Sequence, residues 1–299
     1  MIDRSGLGIA CALGATVFYG LVPNFVRGGF INGVAPVEAT FFRTSLIAVA
    51  FAIVAVARNE SFRIPRAAVP SFAGQALATI VVSVGYLASV EFIPVGLAAI
   101  IFFTFPVIIM LAAPIVEGHS PGMLRMLVAV FAFAGLAVSV GPSFESLDIR
   151  GIVLAAAAAV FCALQFFSGR SISTFMTPLA FGSLVHLAIW PATLAIALYA
   201  GDGKIGFFPG GSANGLGLVF MLGVGVLYVI AYLGHMLSLR FAPASTVAPF
   251  FNLEPMIATT VAALFLGERL APNQYVGGGM VLAALVASSF VGSRKVAAS

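Results

Sequence analysis

Charge is what this chain has least of. Of its 299 residues, 8% are Asp, Glu, Lys or Arg, where a soluble domain carries roughly 25%. So few charges cannot clothe a surface in water, which excludes an ordinary soluble globule. The net charge of +4 is scattered over connecting segments and forms no basic patch, so nucleic acid is not an expected partner. Cysteine is also scarce. Cys11 and Cys162 each sit alone in an apolar stretch without CxxC spacing, which excludes a disulfide framework or a thiolate metal site and leaves two reduced, buried small residues. With three histidines and ten acidic residues spread along the chain, no cluster suited to an enzyme's site stands near one end of the spans. The chain has no HExxH, no phosphate-binding Walker loop and no dinucleotide fingerprint. Gly118-His119-Ser120-Pro121-Gly122 fits the G-x-S-x-G letters, but that motif works on a strand–turn–helix, and here it joins two apolar stretches. No enzyme activity, cofactor or metal is expected.

What remains is apolar. The chain is 61% hydrophobic, with 28 phenylalanines and a mean hydropathy of +1.14. A spanning helix needs about 20 mostly apolar residues. Ten stretches qualify: Gly6–Val26, Pro36–Ala57, Ala67–Val90, Pro94–Val116, Gly122–Gly141, Arg150–Ser168, Thr177–Ala200, Asn214–Leu239, Ala244–Leu266 and Pro272–Gly292. The first lacks a clear small-residue cleavage site and is read as a retained helix, not a signal peptide. The lipid bilayer is therefore the expected surroundings.

The chain also repeats itself. Adding 149 carries Ser89 onto Ser238, Phe92 onto Phe241, Pro94 onto Pro243, Phe102 onto Phe251, Pro106 onto Pro255, Gly118 onto Gly267 and Ser139 onto Ser288. Nearer the start an offset of 143 carries Gly8 onto Gly151, Phe18 onto Phe161 and Arg27 onto Arg170. Paired proline-bearing spans in two halves point to a transporter with its site at the repeat interface. The expected fold is an all-α membrane protein of ten transmembrane helices in two inverted repeats of five, residues 1–149 and 150–299, forming one transmembrane domain. Five is odd, so the second repeat enters the membrane from the opposite side.

Lys and Arg placement sets the orientation. With the N-terminus inside, the inner segments hold Arg4, Arg58, Arg63, Arg66, Arg125, Arg170, Arg240, Arg294 and Lys295. The outer segments hold Arg27, Arg150, Lys204 and Arg269. Both termini are expected on the cytoplasmic side of a cytoplasmic (inner) membrane.

Polar residues inside the spans are the candidates for function. Pro106 and Pro255 sit well within the fourth and ninth spans, and each frees the carbonyl four residues back, at Phe102 and Phe251. They read as hinges or as static kinks. Pro94 and Pro243 fall at helix starts, where proline costs nothing. Glu254 is the carboxylate nearest a span's middle, and Arg43 the one deep cation. An acidic residue there costs on the order of 3 kcal/mol on insertion scales, so it should face the bundle interior. Glu254 reads as a proton or substrate-amine site, or as a packing residue at the proline. The depths of Glu254 and Arg43 differ by roughly 6–9 Å at the helical rise. Asn24, Gln75, Tyr86, Gln165, His186, Tyr228, Tyr232, His235 and Asn252 are the other polar candidates. Tyr86 and His235 are repeat equivalents near opposite ends and suit a pair of gates. His186 shares a helix face with Trp190 and reads as a packing residue. Phe102, Phe103, Phe105, Phe250 and Phe251 flank the proline breaks and could line an apolar cavity. Gly277-Gly278-Gly279 permits close helix approach, within one chain or between copies.

Residues Ala242 to Ser288 resemble the closing part of an EamA-type transporter of the drug/metabolite transporter superfamily. Leu253-Glu254-Pro255, Leu266-Gly267-Glu268-Arg269-Leu270, the glycines of the tenth span and Phe42-Arg43 carry the likeness. The first repeat departs from it: Thr104-Phe105-Pro106 replaces the acidic–proline pair, and Glu117-Gly118 inverts the usual order. The resemblance implies export of metabolites, often amino acids and plausibly aromatic or other neutral ones. It also implies a cavity among spans 1, 3, 4, 6, 8 and 9. A nucleotide sugar, organic cation or drug is the alternative cargo, and a polytopic enzyme or a channel the alternative class. A channel would want a ring of like charges or a carbonyl filter, and neither is present in the sequence.

Overall fold

The computed structural model of the chain is all-helical. It describes residues 4–141, 148–200, 203, 205, 206, 213–266 and 271–296; at 36, 37, 200, 266, 285, 286 and 288–296 the backbone alone is described. Lys204, Arg269 and the Gly267-Glu268-Arg269-Leu270 motif lie outside the described residues, as do the side chains of Arg294, Lys295 and Ser288. The first half comprises α1 (Arg4–Ile31), α2 (Pro36–Ala57), α3 (Val69–Ser89), α4 (Val95–Phe102), α5 (Phe105–Val116) and α6 (Met123–Val140). The second comprises α7 (Ile149–Ile172), α8 (Pro178–Ala200), α9 (Gly215–Phe241), α10 (Ala244–Val247), a 3-10 segment (Ala248–Leu253), α11 (Glu254–Leu266) and α12 (Pro272–Val296). Taking α4–α5 and α10–α11 as one span each, there are ten helical spans. Nine helices among the described residues are long and apolar enough to cross a membrane, and α12 follows them. Large apolar side chains such as Ile115, Leu264 and Phe265 point outward, as a lipid-facing surface requires.

The fourth and ninth spans correct one expectation. Pro106 and Pro255 do not interrupt helices. The helix has already broken, and each proline is the second residue of a new one, α5 or α11. There the missing N–H would have had no helical partner. At the first break the Thr104 hydroxyl donates to the Ile101 carbonyl at 2.6 Å. At the second the backbone tightens into 3-10 geometry, with Pro249 in its first turn.

Helices of the two halves pair antiparallel. Asn214 Nδ2 donates to Asn32 Oδ1 at 3.0 Å where α1 ends and α9 begins. Ser71 and Ser171 hydroxyls meet at 2.7 Å where α3 begins and α7 ends. Trp190 Nε1 donates to Ser45 Oγ at 2.9 Å between α8 and α2. Asn273 Nδ2 donates to the Ser139 carbonyl at 3.0 Å between α12 and α6. Exchanging the halves turns the α1–α9 pair into the α7–α3 pair and maps α2–α8 and α6–α12 onto themselves. The contacts obey this twofold relation in detail. A Cβ on Gly8 would stand 2.6 Å from the Ala242 Cβ, and one on Gly151 2.8 Å from Ile93. Gly8 and Gly151 are repeat equivalents, and so are Ile93 and Ala242. With five crossings per half, the repeats are inverted. Alanines at the contacts (Ala12, Ala15, Ala155, Ala158, Ala159) are fully or almost fully buried, which lets backbones approach closely. Gly277 packs on the Gly135 carbonyl and on Ser139, so this glycine serves packing within the chain.

Candidate functional site

A continuous run of aromatic rings occupies the bundle centre. α5 meets the 3-10 segment through α7: Phe105 to Phe166 is 5.3 Å between ring centroids, and Phe166 to Phe251 is 5.1 Å. Phe102 joins Phe105 at 5.6 Å and Tyr86 at 5.0 Å. On the other flank His235 lies 4.4 Å from Phe166 and 4.8 Å from Phe251. Tyr19 of α1 is 6.1 Å from His235 and 5.4 Å from Tyr228, and Tyr228 stacks on Tyr232 at 6.3 Å. Offset and edge-to-face geometries of this kind are favourable beyond burial alone.

One basic and one acidic side chain reach into this centre. The Arg43 guanidinium carbon sits 4.4 Å over the Tyr228 ring, and Nη2 donates to Ser83 Oγ at 3.2 Å. A cation over an aromatic face is held electrostatically. Glu254, first residue of α11, lies deep in the bundle and within electrostatic range of Arg43, Tyr19 and Tyr86. No salt bridge joins Arg43 to Glu254 among the described residues.

The two ends of the centre differ. Toward the end that carries Arg4, Phe105, Phe166, His235, Phe250, Phe251 and Asn252 are buried. At mid-depth and toward the Asn32 end, Tyr19, Asn24, Arg43, Ser83, Tyr86, Phe102, Tyr228 and Glu254 are only half-buried. The Arg4 end is also tied across the halves. Glu117, with its side chain 8% exposed, accepts from the Ala244 N–H at 2.6 Å and from Ser245 Oγ at 2.5 Å. Arg125 Nη1 also reaches across, to Thr246 Oγ1 at 3.3 Å, while within the second half Arg170 Nη1 donates to the carbonyls of Leu239 at 2.6 Å and Arg240 at 2.8 Å. The bundle centre is thus packed shut at the Arg4 end and less fully covered toward the Asn32 end.

The sequence candidates therefore divide. Tyr86, Phe102, Phe105, Tyr228, Tyr232, His235, Phe251, Glu254 and Arg43 come together around the centre. Asn24 spends its amide on the Ala258 carbonyl at 3.1 Å, joining α1 to α11, and Gln165 spends its amide on Thr79 Oγ1 at 2.9 Å, joining α7 to α3. His186 packs edge-on against Tyr232 at 4.7 Å and places Nδ1 2.8 Å from the Gly182 carbonyl, so Nδ1 carries the proton. Among the described residues, buried polar atoms without a partner cluster in the closed half: both amide atoms of Asn252, and Nε2 of His235 and His186, while the Gln75 amide and the Tyr232 hydroxyl interact with each other. Such groups cost about 1–3 kcal/mol each when unsatisfied. Sequence reasoning missed Tyr19, Ser83 and Phe166, and treated Glu117 only as a departure from a motif. The repeat offset gave no signal for Tyr19, since adding 143 places it on the unlike Cys162. No group of three or more His, Cys, Asp or Glu suited to a metal is found among the described residues.

A ten-helix inverted repeat closed over a charged, aromatic centre defines a multi-pass membrane transporter and not an enzyme. The chain belongs to the EamA-like transporter family, whose model matches residues 6–141 and again 149–290. It is 27% identical over 208 residues to the threonine/homoserine exporter RhtA of Escherichia coli strain K12, a match covering 67% of this chain and 64% of that protein's length. The same protein of Escherichia coli O157:H7 matches equally. A solved crystal structure with 14% sequence identity superposes with a TM-score of 0.82, over 95% of this chain and 98% of the other.

Proposed function

We propose that this transporter exports small zwitterionic metabolites, amino acids in the first place, by alternating access. The observation that carries the reading is the unpaired approach of Arg43 and Glu254. An α-amino acid brings a carboxylate for Arg43 and an ammonium for Glu254, so each charge is met without a bulk counter-ion. The rings of Phe102, Phe105 and Phe251 offer its side chain an apolar wall, and a few fixed polar groups suffice for orientation. The exporter activity in the name of the RhtA relative supports the direction and the cargo class. A nucleotide sugar or other polyanion would lose its hydration against one deep cation.

The chain works in the cytoplasmic membrane with both termini inside, residues 1–149 and 150–299 acting as the two repeats. The Arg4 end is then the cytoplasmic end, and a centre packed shut there corresponds to the outward-facing state. Loading from the cytoplasm requires the Arg4 end to part, with motion at the breaks ahead of Pro106 and Pro255. The orphaned Asn252 and His235 groups would then meet water or substrate, which accounts for polar side chains in a dry seal. Asn24 and Gln165 act as ties between helices that flank the path.

The test is uptake of labelled amino acids into proteoliposomes, with and without a pH gradient, beside growth protection of a sensitive host against toxic amino-acid analogues. Neutral amino acids are expected to move, and Arg43→Gln and Glu254→Gln to reduce that flux at least tenfold. Protection against polyanions or bulky cations alone, with no amino-acid flux, would overturn the reading.

A further inference from the structure

A crevice of about 540 Å³ opens at the Arg4 end, between the α2–α3 and α7–α8 connections. We propose that it holds the phosphate headgroup of an acidic phospholipid from the surrounding bilayer. Arg63 and Arg66 line it, together with Ile64, Phe175, Met176 and Thr177. Both arginines are exposed, and among the described residues neither guanidinium has an ion pair or hydrogen bond. The nearest carboxylate in sequence does not neutralise them. Glu60 is committed elsewhere, to Arg58 Nε at 3.2 Å and to the Thr177 hydroxyl. The crevice therefore presents two free guanidinium forks, the geometry that grips phosphate oxygens.

The rest of the lining selects the kind of phosphate. Phe175 is 46% exposed and Met176 is 7% exposed, so an apolar wall and floor adjoin the two cations. A free anion gains nothing from that apolar surface. A phospholipid uses both parts, with phosphate at the arginines and the start of an acyl chain against Phe175. The position fits. The crevice lies where α2 ends at Ala57 and α3 begins at Val69, at the level where a spanning helix leaves hydrocarbon for headgroups. Basic pockets between spans at this depth are where acidic headgroups are held. The two walls come from opposite halves, so a bound lipid would bridge the α2–α3 and α7–α8 connections. This assignment is independent of the cargo and of the transport cycle; orientation decides only which leaflet supplies the lipid.

The full chain in an uncharged detergent is titrated with short-chain phosphatidylglycerol, short-chain phosphatidylcholine and inorganic phosphate, by calorimetry. Phosphatidylglycerol is expected to bind best. Each of Arg63→Ala and Arg66→Ala should weaken it about fivefold, and the double variant roughly thirtyfold, from the attraction of an arginine to an acidic lipid surface. Phe175→Ala should weaken phosphatidylglycerol and leave phosphate unchanged. The Arg63→Lys, Arg66→Lys pair, which keeps the charge and loses the forks, serves as the folded control and should bind more weakly than the native chain and more tightly than the double alanine variant. Equal binding of phosphatidylcholine, undiminished binding by the double alanine variant, or phosphate binding as tightly as the lipid would each overturn the assignment.

Discussion

Glu117 and Ser245 are 128 residues apart in sequence, and their side chains share a hydrogen bond of 2.5 Å. The same carboxylate takes the Ala244 backbone N–H, at the first residue of α10. One side chain from the first half thus holds the entrance of the broken ninth span. Removing it should loosen the Arg4 end. Hydrogen bonds to a charged group contribute about 1.5–3 kcal/mol each, so Glu117→Ala should shift the balance of open and closed forms at least tenfold. Thiol labelling of Thr246→Cys, in a chain lacking Cys11 and Cys162, reads this directly. A labelling rate unchanged by Glu117→Ala would remove the latch from the mechanism.

The prolines of the fourth and ninth spans are expected to matter for movement more than for folding. Pro106 and Pro255 occupy first-turn positions, where replacement by alanine costs at most about 1 kcal/mol through the unfolded chain. Pro106→Ala and Pro255→Ala should leave the thermal midpoint nearly unchanged and slow efflux. Unaltered flux in both variants would make the breaks static.

The glycines of α12 should respond unequally. A Cβ on Gly277 would lie 2.3 Å from the Gly135 carbonyl oxygen, and one on Gly279 meets nothing within 4 Å. Gly277→Ala should destabilise by about 1–3 kcal/mol, the usual cost of overpacking, while Gly279→Ala should be neutral. Thermal unfolding in detergent separates the two, and equal midpoints would mean that α6 and α12 do not cross as closely as described.

Orientation has its own measurement. A reporter active only in the cytoplasm, fused after Ser299, should give signal. Activity from a periplasmic reporter at the same point would invert the topology and move the Glu117 latch to the outer face.

Much of this architecture could be read from the sequence because the bilayer imposes it. Hydrocarbon demands long apolar helices, and the offsets of 143 and 149 exposed the duplication. Ser89 and Ser238 show how literal that duplication is. Their hydroxyls donate to the carbonyls of Tyr86 and His235, themselves repeat equivalents, each at 2.7 Å. What stayed hidden depends on neighbours from the other half. Pro106 signals a break but not the side on which the helix ends. Asn24 and Gln165 stand out by chemistry alone, and only the fold shows that the amide of one bonds the Ala258 carbonyl and that of the other the Thr79 hydroxyl. Phe166 was one phenylalanine among 28 until α7 was seen to pass between the two breaks.

The 3-10 segment Ala248–Leu253 works as a length of screw thread. Its turns advance about 2.0 Å and 120° per residue, where an α-helix advances about 1.5 Å and 100°. Rewinding its six residues into α geometry would shorten the ninth span by about 3 Å and swing everything beyond it through about 120°. Glu254 is the next residue. A change of pitch that breaks no covalent bond would therefore aim its carboxyl toward Arg43 or away from it, coupling the length of one span to the direction of one charge.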